Sequence, residues 1–346
     1  MSDQKINLYC FDRLPGMTWI PFLDWVFGPR KTNELFQNKD PYLYAGLFNL
    51  IDDPENADYF LVPHLWSFIK NKESYLKKIC SISSKYNKTM ILFAYQDSAE
   101  QINIPNTIIF RSSQYKSKLA KNEIIMPAFV EDLGALYGVS FKKRSDKPSV
   151  GFVGKAGFES FTHWIKFFIK NVFLLNGPYK NGIYFRLRSM GILKKHSGVF
   201  TNFICRSSFS GNLKTIPLDP ETARREYVEN ITQNDFTLSV RGDGNFSLRF
   251  YEALSLGRIP LFLDTDCVLP LEDEIFYDDF LLRVDYRDIE NLGNELVHSY
   301  GLWSEEEYLI RQKRAREIFE KYLYMPVFIK HTFSREFLSR YESKNK

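Results

Sequence analysis

The sequence predicts an α/β protein made of two Rossmann-like, doubly wound domains facing a cleft, with helices at the C-terminus. Three observations carry this. The 346 residues exceed one ordinary core and fit two domains of typical size. Short apolar runs alternate with polar helical segments, the grammar of a parallel sheet with helices on its faces. That grammar breaks at KKRSDKP (142–148), a charged stretch ending in proline, and then restarts, which makes 142–148 the predicted linker. The expected parts are a first Rossmann-like domain (1–145), a second (146–303) and C-terminal helices (304–346) packing back across the cleft.

In the first part KINLYCF (5–11), ADYFLVPH (57–64), TMILFAYQ (89–96), TIIFRSS (107–113) and EIIMPAF (123–129) read as buried strands, with the lysine-rich SYLKKICSISSKYNK as a covering helix. After the linker come a strand running into glycines, SVGFVGKAGF (149–158), and the strands TNFICRSS (201–208), DFTLSV (235–240), IPLFLD (259–264) and DFLLRVD (279–285). The helices are PETARREYVENITQN (220–234), with Pro220 near its start, and FSLRFYEALSLG (246–257), closed by Gly257. IENLGNELVHSYG and SEEEYLIRQKRAREIFEKYL follow, the second opened by the capping box Ser304/Glu307. FTHWIKFFIKNVFLL (161–175) carries apolar residues all round and is expected to be a buried helix, with peripheral membrane contact as the competing reading.

Lys plus Arg number 46 against 42 acids, a formal +4 that reads as spread along the chain without basic blocks, so nucleic acid is not an expected partner. Aromatics make up 16% of residues, enough for a large core and for stacking surfaces. Cys10, Cys80, Cys205 and Cys267 are far apart and form no metal-ligand spacing, as in a reducing compartment. MSDQKINLYCF lacks the features of a signal peptide, and no apolar run approaches the ~20 residues that span a bilayer. The expected location is the cytoplasm, with peripheral attachment to the inner membrane face as the alternative.

RGDGNFSLRF (241–250) lies between a strand and a helix, where free backbone N–H groups and the helix dipole favour an anion. Gly242 and Gly244 allow close approach, and Asn245 or Ser247 can cap the helix. Arg241 and Arg249 offer guanidinium forks to phosphate. Glu252, one turn after Arg249, can accept from ribose hydroxyls. Together they describe a nucleotide-diphosphate site; the competing reading is an ordinary turn followed by a surface ion pair. Lys155 and Arg206, at the ends of their strands, are further candidates for that site.

The stretch YVENITQNDFTLSVRGDGNFSLRFYEALSLGRIPLFLDTDCVLPLEDEI closely resembles the C-terminal signature of exostosin-type glycosyltransferases. DPENADYFLVPHLWS and SVGFVGKAG resemble two further motifs of that family, so the likeness runs discontinuously over about 52–285. It implies a GT-B fold, a nucleotide-sugar donor bound by the second domain, and inversion at the anomeric carbon. A UDP-sugar is the expected donor, and a glycan or lipid-linked saccharide the expected acceptor. By position, Arg241, Arg249 and Glu252 fall on the family's donor-binding stretch, with Gly257, Ile259 and Pro260 turning into the next strand. Animal members carry an N-terminal anchor and often a second catalytic domain, which are not seen here, so the implied role is bacterial or viral surface-polysaccharide synthesis.

Asp264 and Asp266 form a DTD that elsewhere holds Mn²⁺ or Mg²⁺; here it is read as loop or substrate-hydroxyl residues, with no divalent metal required. An inverting transfer needs a base, and Asp97 and His64, each directly after or at the end of a predicted strand, are the candidates. Capping for Asp97 and a buried, satisfied ring for His64 are the competing readings. Arg111, at the end of its strand, can reach a phosphate or an acidic sugar. An inactive glycan- or nucleotide-binding relative and an epimerase- or phosphorylase-like enzyme on the same fold are the rival functions.

Overall fold

The computed structural model describes residues 5–28, 40, 42–158, 161–171, 176–207 and 218–342. Residues 172–175, Ser208 and 343–346, which fall in expected elements, lie outside that set. The chain divides into two compact α/β units, Met1–Phe129 with Val268–Pro270 and Tyr322–Lys346, and Val130–Cys267 with Leu271–Lys321.

The first unit contains six parallel strands in the order β2-β1-β3-β4-β5-β6: β1 (Asn7–Cys10), β2 (Asn49–Ile51), β3 (Tyr59–Leu65), β4 (Met90–Ala94), β5 (Thr107–Arg111) and β6 (Glu123–Ile125). All of β4, β5 and β6 is buried, so these strands read as unbroken apolar runs rather than alternating ones. Strand β2 is a partly exposed three-residue edge, too short to announce itself in the sequence. Beside the one-turn helices α1 (Asp24–Phe27) and α2 (Trp66–Ile69), α3 (Glu73–Tyr86) buries Tyr75, Ile79 and Ser83, four residues apart on one face, and ends at Asn87 in the left-handed region. The C-terminal helices α11 (Met325–Thr332) and α12 (Arg335–Leu338) belong to this unit. There Phe333 packs 5.5 Å from Phe110, Tyr59 donates to Glu342 at 2.7 Å, and Arg335 pairs with Asp58.

In the second unit five parallel strands run β11-β10-β9-β7-β8: β7 (Ser149–Lys155), β8 (Phe200–Arg206), β9 (Phe236–Ser239), β10 (Ile259–Asp264) and β11 (Leu282–Asp285). Counted from its first strand this order is 2-1-3-4-5, so the direction of winding reverses between β7 and β9, where ligands of doubly wound sheets bind. Helices α4 (Leu133–Tyr137), α5 (Phe161–Ile169), α6 (Gly182–Lys195), α7 (Pro220–Gln233), α8 (Leu248–Ser255), α9 (Leu292–Leu302) and α10 (Glu305–Ile318) surround it. Asp219 caps α7 through the Thr222 N–H, and both bonds of the Ser304/Glu307 capping box open α10.

Two expectations are corrected here, and one helix is added. KKRSDKP is no free linker: Lys142 reaches buried Asp235 at 2.8 Å, the Ser145 N–H donates to the Tyr300 hydroxyl at 2.8 Å, and the Arg144 guanidinium lies 4.2 Å over the Tyr300 ring. Lys142 and Arg144 find partners inside the second unit, which composition could not reveal. Helix α5 is not buried; Trp164, Ile165, Phe168 and Ile169 are all exposed. Helix α6 is absent from the sequence reading, although Asn181 caps it through the Ile183 N–H and Lys194 and Lys195 occupy its last turn. Among the described residues no helix is long and apolar enough to cross a membrane.

Candidate functional site

Where the second sheet reverses, β7 ends in Gly154 and Lys155, and the chain leaves β9 through 240–247 into α8. The turn is closed by the Gly242 N–H donating to the Phe246 carbonyl at 2.9 Å. Buried Asn245 ties it to the loop after β10: its amide donates to the carbonyls of Thr265 and Asp266, both at 3.2 Å, and accepts from the Thr265 hydroxyl at 2.6 Å. Asn245 therefore fastens the turn rather than capping the helix. Ser247 takes the N-cap position of α8 but makes no side-chain capping bond, so no cap side chain satisfies the first-turn N–H groups.

Three buried arginines converge here. Arg249, in the first turn of α8, donates from Nη2 to the Val153 carbonyl at 2.5 Å and lies 4.0 Å over the Phe152 ring. Its approach requires glycine at 154, since a Cβ there would stand 2.6 Å from Arg249 Nη2 and the backbone has φ +148°. Arg186, from α6, donates from Nη1 to the Lys155 carbonyl at 2.9 Å. Arg241 donates to the carbonyls of Pro178 at 2.9 Å and Asp243 at 2.7 Å. Helix α6 is pressed against the turn, because a Cβ on Gly182 would fall 2.2 Å from the Gly242 carbonyl oxygen.

The charge balance of this cluster is unusual. Arg186 and Arg249 are 8% and 9% exposed, yet the Nε of each is buried without a hydrogen-bond partner, and among the described residues neither pairs with a carboxylate. Burial, with repulsion from Arg249 and Arg241, pushes the Arg186 pKa down to about 9 against a partial offset from Asp243 and Tyr227. Guanidinium groups held buried and close without a paired carboxylate are costly, and a bound anion would satisfy them.

Glu252 lies one turn beyond Arg249. Its carboxylate accepts from Arg224 at 3.2 Å and from the Tyr227 hydroxyl at 2.5 Å, and Arg224 also reaches Glu131 at 2.8 Å. Burial and the Glu252 charge hold the Tyr227 phenol well above its usual range, so it stays a donor. Two acceptances leave the carboxylate lone pairs for further donors. Lys155 ends β7 beside the arginines, whereas Arg206 at the end of β8 is paired with Glu226.

The DTD stretch serves the loop. Asp264 accepts from the Cys267 N–H at 2.8 Å and from Arg283 at 3.0 Å, and Asp266 sits in the left-handed region with φ 61°. Among the described residues no group of three or more His, Cys, Asp or Glu side chains is placed to hold a metal ion.

In the first unit His64 is wholly buried with both ring nitrogens engaged: Nε2 accepts from the Leu14 N–H at 2.9 Å and Nδ1 faces the Thr18 carbonyl at 2.7 Å. A backbone donor on Nε2 fixes the proton on Nδ1, so neither nitrogen is open as a general base. This corrects the reading of His64 as a catalytic candidate. Arg111 is fully buried against Glu123 and backbone carbonyls, which closes it to any substrate. Asp97 is exposed beyond the end of β4, its carbonyl accepting from the Ser113 hydroxyl at 3.2 Å.

No family model and no curated protein matches the chain. Similar solved structures include Anabaena HepE in complex with UDP and glucose (10% identity, covering 97% of this chain and 100% of that one, TM-score 0.37). A glycosyltransferase from Rickettsia africae (9%, 100% and 100%, TM-score 0.39) and Anabaena HepE in complex with UDP-glucose (8%, 96% and 100%, TM-score 0.39) are further ones. Likenesses of this grade assign neither a site nor an activity to the chain.

Arg186 is the functional candidate that sequence reasoning missed. Its signal was available, since Phe185, Ser189, Met190 and Leu193 recur on one buried face behind a capping Asn181, but Gly182 and Gly191 interrupt the pattern.

Proposed function

We propose that the second unit binds the diphosphate of a nucleotide-sugar and that the chain is an inverting glycosyltransferase of exostosin type. The observation that carries the reading is the pair of buried, unpaired guanidinium edges of Arg186 and Arg249 at the reversal of a doubly wound sheet. In this reading Arg186, Arg241, Arg249 and the α8 N-terminus hold the diphosphate, and Glu252 accepts from the ribose. Lys155 lies beside them. As the bond from the anomeric carbon to the phosphate oxygen breaks, charge builds on the leaving diphosphate, and these fixed cations stabilise it without a divalent metal. Asp97 takes the proton of the acceptor hydroxyl.

The test is calorimetry with UDP, GDP, CDP and dTDP in EDTA. At least one diphosphate should bind while its bare nucleoside binds far more weakly; the absence of any diphosphate binding, or binding that needs a divalent metal, would overturn the assignment. With the donor in hand, Asp97→Asn should keep nucleotide affinity and lose roughly 10²-fold or more in turnover. Normal turnover in that variant places the base elsewhere.

A further inference from the structure

The exposed face of α5 is used by none of the chemistry above. Trp164, Ile165, Phe168 and Ile169 are 43%, 37%, 48% and 47% exposed, and the Trp164 and Phe168 rings stack at 5.8 Å. At 3.6 residues per turn these four positions fall within an arc of about 140°, with Lys166 and Lys170 on the opposite side. Contiguous apolar surface of this kind on a protein marks a place where something docks.

Charge identifies the occupant. From Ser160 to Leu218 the sequence has nine Lys and Arg residues and no Asp or Glu, which leaves 37 against 42 in the rest of the chain. The formal +4 is therefore not evenly spread: this segment carries +9 and the remainder −5, and although Arg186 is buried and Arg188 and Arg206 pair with Glu290 and Glu226, Lys166, Lys170, Lys194 and Lys195 stand exposed. A second copy of this chain laid face to face on α5 would bring two such segments together, and like charges oppose it. An anionic lipid surface reverses that sign.

We propose that α5 docks the second unit onto an anionic bilayer surface, lying in the headgroup plane with Trp164, Ile165, Phe168 and Ile169 in the acyl boundary. Lys166 and Lys170, on the opposite side of the helix, then stay in the headgroup layer. The helix has the composition of an interfacial segment, aromatic and aliphatic on one side and basic on the other. Only nine residues long, it gives modest affinity alone and depends on the exposed Lys166 and Lys170. The inference is independent of the nucleotide reading, since the four apolar side chains and Lys166 and Lys170 lie outside the arginine cluster.

The experiment is flotation of the full chain with vesicles of phosphatidylglycerol and phosphatidylcholine in equal parts, and with phosphatidylcholine alone. Binding should require phosphatidylglycerol and weaken as salt rises. Lys166→Gln with Lys170→Gln should lower the partition coefficient by roughly 25-fold, at about fivefold per lysine. Trp164→Glu with Phe168→Glu should abolish flotation while leaving the melting temperature and nucleotide binding unchanged. The proposal is overturned by equal flotation of that variant and the parent, by equal binding to phosphatidylcholine alone, or by no binding to either vesicle. It is also overturned if the parent self-associates in solution and the variant does not.

Discussion

Arg111 in the first unit and the pair Arg186 and Arg249 in the second are all buried, yet they obey opposite rules. Arg111 in the first unit is fully buried, and its fork is used up: Nε donates to Ser113 O at 2.8 Å, Nη2 to Ser98 O and Glu100 O at 3.2 Å each, and Nη1 to Glu123 and to Glu100 O. Arg186 and Arg249 in the second unit each donate once to a backbone carbonyl and leave Nε with no partner. Burial alone therefore says nothing about function. An unpaired Nε on a buried guanidinium, placed where the sheet reverses, is what sets Arg186 and Arg249 apart from Arg111.

The largest expected effect breaks the paired case. Arg111→Ala strands the carboxylate of Glu123, itself 4% exposed, and should cost about 3 to 5 kcal/mol of first-unit stability. Thermal unfolding of the full chain checks it, read as two transitions where the units separate. A melting temperature within a degree or so of the parent would dissolve the comparison.

Arg186→Met addresses the unpaired case and should move two quantities apart. Removing a buried charge that lacks a paired carboxylate leaves the stability of the free protein unchanged or raised. The same change removes a charge-assisted contact to the diphosphate and should weaken nucleotide binding by about 1.5 to 3 kcal/mol, roughly 10- to 150-fold. Arg249→Ala should behave alike in binding, with some lost packing on Phe152. Should Arg186→Met destabilise the protein as Arg111→Ala does, while nucleotide affinity holds, the cluster is structural.

What the sequence made legible follows the same division. Strands buried on both faces were readable because burial demands unbroken apolar runs, and the RGDGNFS turn was readable because glycines, arginines and a helix start occupy consecutive positions. Pairing was not readable. Glu123 lies twelve residues from Arg111 and Asn245 reaches across to Thr265, so whether a polar side chain is spent or open depends on contacts that local patterns do not encode. Arg186 stayed hidden because it joins the site from a helix 55 residues before Arg241, with glycines blurring that helix's period. The exposed face of α5 was misread because apolar residues all round normally mean a core, and sequence alone does not say which side the sheet covers.

The smallest effect sharpens the comparison inside the first unit, where His64 is the histidine counterpart of Arg111: buried, and satisfied at both nitrogens. Burial holds its pKa below the ordinary 6.5, with the Thr18 carbonyl opposing and Arg13 reinforcing the shift. The unfolded chain thus takes up the proton first. The stability contributed by the neutral ring is complete above pH ~6.5 and is lost as pH falls from there toward the folded-state value. His64→Gln can offer an oxygen to the Leu14 N–H and an amide hydrogen to Thr18 O but cannot titrate. It should be modestly less stable than the parent at pH 7.5, and its stability should decline less between pH 7 and pH 5 when both are followed by denaturant unfolding. Parallel declines would mean that other groups carry the acid sensitivity. If His64→Gln instead keeps its stability and its nucleotide affinity but loses turnover, the ring opens during the reaction, and the histidine rather than Asp97 takes the acceptor's proton.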